Sequence, residues 1–152
     1  MAFDAFLKLD GITGESNDEN HKDEIEIESF SWGLNVPIAT GGGSGGATAG
    51  RASFQDFSFT AKSSKASPLL FSTAASGKHI NQGLLTLRGA GAGGQATEFY
   101  KVKLTDVIIS LYSQGGSVEG DHPLDEFALN ASKIEVNYDG VVRTWDIGGN
   151  KA

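Results

Sequence analysis

The 152-residue chain contains no cysteine. That excludes a disulfide framework, a thiolate zinc site and a cysteine nucleophile together, and leaves packing or assembly to stabilise the fold. Basic residues are scarce: 12 Lys and Arg stand against 19 Asp and Glu, giving a net charge of -7. Nucleic-acid affinity comes mainly from clustered cations that displace counterions from phosphates. No such cluster occurs, so no nucleic-acid partner is expected. No apolar run approaches the length needed to cross a bilayer, so no membrane insertion is expected either. Residues 1–10 also lack the basic-then-apolar pattern of a secretory signal, so any export is expected to use another route.

Hydrophobic residues make up 39% of the chain and charged residues 20%, enough apolar surface to reject a disordered chain. The length suits one domain, 1–152. Most of the sequence has a two-residue period, which puts alternate side chains on opposite faces of a strand. Ala5, Leu7 and Leu9 alternate with Asp4, Phe6 and Lys8, and Asp10-Gly11 then signals a turn. The stretch from Glu15 to Glu24 reads as a solvated acidic loop. Beyond it, Ile25 and Ile27 fall on one parity and Phe30 and Trp32 on the other, which implies either a bulge or burial of both faces. Phe54, Phe57 and Phe59 change parity in the same way.

Strands are further predicted over 79–88, 97–111, 126–138 and 141–147, with Asp139-Gly140 as a two-residue hairpin turn. The period changes only after Ser67-Pro68, read as an N-cap followed by proline at the first helical position. Leu70, Phe71, Ala74 and Ala75 have helical spacing, and Gly77 is the stop. Residues 41–50 form the one low-complexity segment, expected to be a long mobile loop because glycine supplies freedom without burial. Many strands, one helix and one long loop point to a closed or nearly closed β-barrel with a packed helix.

Several spellings imitate catalytic motifs. Gly89, Gly91 and Gly94 satisfy G-x-G-x-x-G, but the residues after them, Thr97 to Val102, are strand-like, so the helix N-terminus that would hold a pyrophosphate is missing. The tract Gly42-Gly43-Ser44-Gly45-Gly46 matches G-x-S-x-G without the strand-to-helix elbow that exposes a nucleophile. His21, His79 and His122 have no metal-ligand spacing and read as solvent-facing or locally bonded. Asp18, Glu19, Asp23 and Glu24 lack the order of an EF-hand. Asn130-Ala131-Ser132 fits a glycosylation triplet but lies within a predicted strand. No catalytic residue, cofactor or metal is assigned, and no enzyme is expected.

A series of short segments in fixed order carries a resemblance. Phe3-Asp4 leads to Leu7-Lys8-Leu9, followed by Gly14-Glu15-Ser16, His21, Ile25-Glu26-Ile27 and Phe30-Ser31-Trp32-Gly33. Gln55 to Thr60, Ser67 to Leu70, Gly77-Lys78-His79 and Leu85 to Arg88 continue the series, and Val102 to Ser110, Leu129-Asn130-Ala131 and Trp145-Asp146 complete it. In this order the chain resembles Hcp, the haemolysin co-regulated tube protein family of type VI secretion.

The resemblance implies a mainly β fold: an Hcp-like β-barrel of two packed antiparallel sheets with one flanking α-helix and a long extended loop over 37–51. It implies homohexameric rings stacked into an inner tube, with a spike protein, a contractile sheath and small effectors as partners. It implies a protein that is cytoplasmic when assembled and secreted through the apparatus without a signal peptide. Ser31 is expected to face the ring lumen, and a ring would account for the parity changes near Phe30 and Phe57 by two-sided burial. Thr40, Gly42, Gly43, Ser44, Gly46 and Arg51 are expected to meet a neighbouring subunit or ring. A phage-like tail tube protein and a monomeric ligand-binding β-barrel remain as alternatives.

Overall fold

A computed structural model of the chain describes residues 3–40, 46–90 and 96–152. The alternating segments become strands β1 (Phe3–Leu9), β2 (Ile25–Ile27), β3 (Ser29–Ser31), β4 (Leu34–Asn35), β5 (Ile38–Thr40), β6 (Ala47–Ala49), β7 (Ser53–Phe54) and β8 (Phe57–Lys62). Helix α1 (Ala66–Ser76) follows, then β9 (Ile80–Ala90), β10 (Ala96–Gly115), β11 (Leu124–Tyr138) and β12 (Val141–Asp146). One antiparallel sheet runs β2-β1-β9-β10-β11-β8-β3, with β12 beside β11. Because β2 and β3 are consecutive, residues 25–31 join the two ends of that order, and the Glu28 N–H donates to Thr60 O at 2.8 Å across the seam. The expected barrel is therefore one sheet curled almost onto itself, which leaves few open edges.

The inward positions fill its centre. Leu7, Leu85, Val102, Leu104 and Leu129 are buried, and Phe59 stacks on Phe127 with ring centroids 5.3 Å apart. The parity changes come from strand breaks. β2 pairs with β1, whereas β3 pairs with β8. Farther along, Ser31 opposes Ser58 and Leu34 opposes Phe54, so one extra residue sits on the 54–58 side. That extra residue cancels the parity difference, so the half-buried Phe54 packs against the same core as Phe57 and Phe59. Two-sided burial is not needed for either change.

The acidic loop is a strap rather than a solvated segment. His21 is buried and lies flat on Phe6, 4.5 Å between centroids, with its Nδ1 3.0 Å from Glu24 Oε2. Asp18 meets Arg88 Nη2 at 2.7 Å, and Arg88 also lies over the Phe6 ring. The strap explains why Phe6 and Thr86, on the outer face, are buried. The negative charge of this segment hides the fact that Asp18, His21 and Glu24 hold it to the barrel and to itself. The Arg88 hydrogen bond, followed by that of the Asn20 N–H, lowers the Asp18 pKa to about 2.

The helix starts earlier than the Ser67-Pro68 signal suggests. Ser64 takes the capping role: its Oγ accepts the Ala66 N–H at 3.1 Å, while Ser67 Oγ reaches back to accept the Ser64 N–H at 3.0 Å. Ser67 itself is buried, and its hydroxyl donates to Asp125 Oδ2. Asp125 is a buried carboxylate satisfied by neutral donors: Ser63, Tyr112 and Gln114 all bond its Oδ1. This cluster pins α1 to β10, β11 and the Ser63 turn that follows β8. Burial, and then the nearby Asp125 charge, raise the Tyr112 pKa. Gly77 ends the helix with φ of 67°, where its N–H and that of Lys78 bond Ala74 O and Thr73 O, the pattern of a Schellman cap. Asp139 and Gly140 both have positive φ, as a type I′ turn requires.

Candidate functional site

Three surfaces of the barrel carry features that its packing does not require. The first is the outer face of β3, β8 and β11. Phe57 and Phe59 point inward, so Ser58 and Thr60 point outward, opposite Ser31 and Ser29. Ser29 Oγ and Thr60 Oγ1 are 2.5 Å apart. Ser31 is exposed, and the next strand adds Glu126 opposite Thr60 and Ala128 opposite Ser58. At one margin Asp56 accepts from Ser110 Oγ at 2.6 Å and from Asn130 Nδ2 at 2.9 Å. The face is thus built of small side chains and rich in hydroxyls.

The second surface is a ribbon. The extended loop carries a two-stranded hairpin in which Ile38 pairs with Ala49, Ala39 with Thr48 and Thr40 with Ala47. Its base is tied twice. The Gly50 N–H donates to Pro37 O at 2.7 Å, and Arg51 Nη2 donates to Ile147 O at 3.0 Å and Gly148 O at 3.2 Å. Arg51 therefore anchors the ribbon to the C-terminal turn of its own chain. Gly46 is exposed, Thr40 closes the last described pair, and Gly42, Gly43 and Ser44 lie outside the described residues.

The third surface is an apolar recess of about 330 Å³ at the root of the ribbon, walled by Trp32, Leu34, Phe54, Val136 and Trp145, with Thr144 also lining it. Sequence reading gave no hint of it, since its two tryptophans are far apart in the chain and meet only because β12 folds back along β11. Trp32 also donates through Nε1 to Tyr100 OH at 3.1 Å.

The motifs that imitate enzymes do not come together. His79 Nδ1 lies 2.7 Å from Asp106 Oδ1, while Ser132 Oγ donates to Asp106 Oδ2 at 2.9 Å. Serine and imidazole thus share a carboxylate and do not bond each other, so the serine has no base. The His79 hydrogen bond, followed by that of Ser132, lowers the Asp106 pKa. Among the described residues no group of three or more His, Asp or Glu could hold a metal ion. The glycines at 91–94 lie outside the described residues, but the segment that follows them is β10, not a helix. Asn130 sits within β11, with its amide on Asp56.

The family model for the type VI secretion system effector Hcp matches residues 6–138. The chain belongs to the Hcp family. It is 38% identical over 138 residues to Protein hcp1 of Pseudomonas aeruginosa, covering 91% of this chain and 84% of that one. Its fold matches a crystal structure of Hcp1 from Salmonella typhimurium with a TM-score of 0.82, 35% identity and 99% of each chain covered. It also matches a type VI secretion system effector from Yersinia pestis with a TM-score of 0.76 and 34% identity, covering 94% of this chain and 99% of that one. This Hcp-family chain is a type VI secretion protein with a β-barrel fold. Among the described residues no helix is long and apolar enough to cross a membrane.

Proposed function

We propose that the chain assembles into six-membered rings that stack as the inner tube of a type VI apparatus. Contraction of a surrounding sheath expels that tube, with a spike at its tip and small effectors in its bore. The protein is cytoplasmic while assembled and leaves the cell through the apparatus. A ring of this kind needs a heterologous interface, one patch meeting a different patch on the next copy, and the ribbon and the recess are two such patches on one chain.

The observation that carries the reading is the exposed hydroxyl face around Ser31. Small polar side chains with no metal or nucleophilic chemistry suit the wall of a wet passage better than a reaction site. In this reading Ser31, Ser58 and Thr60 face the lumen, and each is repeated six times around the bore.

The Ser31→Gln variant tests it. A longer amide on an exposed strand leaves the barrel intact but crowds the bore. Recovery of small effectors with the purified protein is expected to fall about tenfold, equivalent to ~1.4 kcal/mol, with rings unchanged. Undiminished effector recovery from intact rings would remove Ser31 from the wall.

A further inference from the structure

We propose that a single internal water molecule ties the strap to the barrel, bonded by His21, Thr86 and Arg88. The site lies within one chain and does not depend on ring assembly.

Three buried side-chain polar atoms have no hydrogen-bond partner among the described residues: His21 Nε2, Thr86 Oγ1 and Arg88 Nε. Thr86 is 1% exposed and His21 6%. Leaving a buried donor or acceptor unpaired is costly, and folded interiors rarely tolerate it. Three on one patch call for a shared partner.

The topology brings them together. His21 stacks on Phe6 of β1, with ring centroids 4.5 Å apart, and its Nε2 lies 3.6 Å from Glu98 Oε1 of β10. Because β9 runs between those two strands, the imidazole roofs β9. The residues beneath it are Thr86, opposite Phe6, and Arg88, opposite Glu98. Both point outward, since Leu85 and Leu87 fill the core. Arg88 commits Nη2 to Asp4 at 3.2 Å and to Asp18 at 2.7 Å, which leaves its Nε–H for the space under the imidazole.

The chemistry of the patch selects water. His21 Nδ1 is 3.0 Å from Glu24 Oε2, a carboxylate oxygen that accepts. In the neutral imidazole Nδ1 therefore carries the proton, and Nε2 is an acceptor. At 3.6 Å, Nε2 and Glu98 Oε1 make no direct bond. Below them the Thr86 hydroxyl and the Arg88 Nε–H are donors without an acceptor. One water serves all three atoms, accepting from Thr86 and Arg88 and donating to Nε2. Its second proton is left for Glu98, whose side chain is 32% exposed and free to turn toward it. An ion fits worse, because Arg88 opposes a cation while Asp18, Glu24 and Glu98 oppose an anion. Thr86 and His21 lie too deep for a larger molecule to reach without displacing the strap.

A crystal structure of the full chain that resolves ordered solvent tests the site. Density for one water within about 3.2 Å of His21 Nε2, Thr86 Oγ1 and Arg88 Nε is expected. Side chains that close up and bond each other directly would overturn the proposal, as would an ion at the site. Nitrogen NMR of the labelled protein at neutral pH reads the tautomer. A proton on Nδ1 alone is expected, and protons on both ring nitrogens would remove the acceptor on which the site rests. Thr86→Val keeps the branched shape and deletes one partner. Hydrogen exchange of the Asp23 and Glu24 amides, which are bonded within the strap, is expected to quicken about tenfold with barrel strands unaffected. Thr86→Ser should restore the native rate. Equal exchange in the native chain and Thr86→Val would contradict the water bridge.

Discussion

The barrel and the ribbon are both antiparallel pairs of alternating residues, yet they satisfy opposite conditions. In the barrel, Leu7, Phe59 and Phe127 are sealed from water by strands of the same chain. In the ribbon, the described side chains of β6 meet solvent on every side. Burial of apolar surface is the dominant driving force of folding, so the barrel is self-sufficient and the ribbon is not. A chain that encodes both has set part of its surface aside for contacts outside itself.

That contrast can be broken at its strong end. Phe127→Ala removes a large buried ring that stacks on Phe59, and such truncations cost about 3–5 kcal/mol. Chemical denaturation should show that loss, and a cost near zero would mean the core is not where stability resides.

At the weak end, deletion of 41–50 should change the unfolding free energy of the barrel by less than about 0.5 kcal/mol, the range of ordinary surface changes. Single rings should persist and tubes should be lost. A large drop in barrel stability would show that the ribbon belongs to the core.

The strap sharpens the contrast, being polar like the ribbon yet docked like the barrel. Asp18 has a folded pKa of about 2 against an ordinary 3.8. A depressed carboxyl contributes stability that is complete above its unfolded value and is lost as pH falls through the folded one. The stability gap between the native chain and Asp18→Asn should therefore be constant above about pH 5, narrow below pH 4 and close only as pH falls below about 2. Thermal unfolding across that range is the check, and a gap independent of pH would contradict the ion pair.

The strands, the helix stop at Gly77 and the turn at Asp139-Gly140 were legible because each depends on neighbours in sequence: a two-residue period, a left-handed glycine, a two-residue loop. The strap was misread because its docking depends on Arg88 and Phe6, far from Asp18 and His21 along the chain. Ser67 was misread as a cap because its partner is Asp125, on another strand. The extended loop was foreseen, but its hairpin was hidden by glycines that dilute the alternation of Ile38 to Thr40 and Ala47 to Ala49. The recess was invisible, since no local pattern shows that Trp32 and Trp145 will face one hollow. Ser31 stood out only through resemblance to the family, and the structure adds the hydroxyl neighbours that make the position physically reasonable.

The native mass of the purified protein, measured by light scattering and followed by negative-stain imaging of the same peak, tests the central claim most directly. The account predicts a six-subunit ring with a central hole. A stable monomer at high concentration would contradict it and return the chain to the alternative of a self-contained barrel.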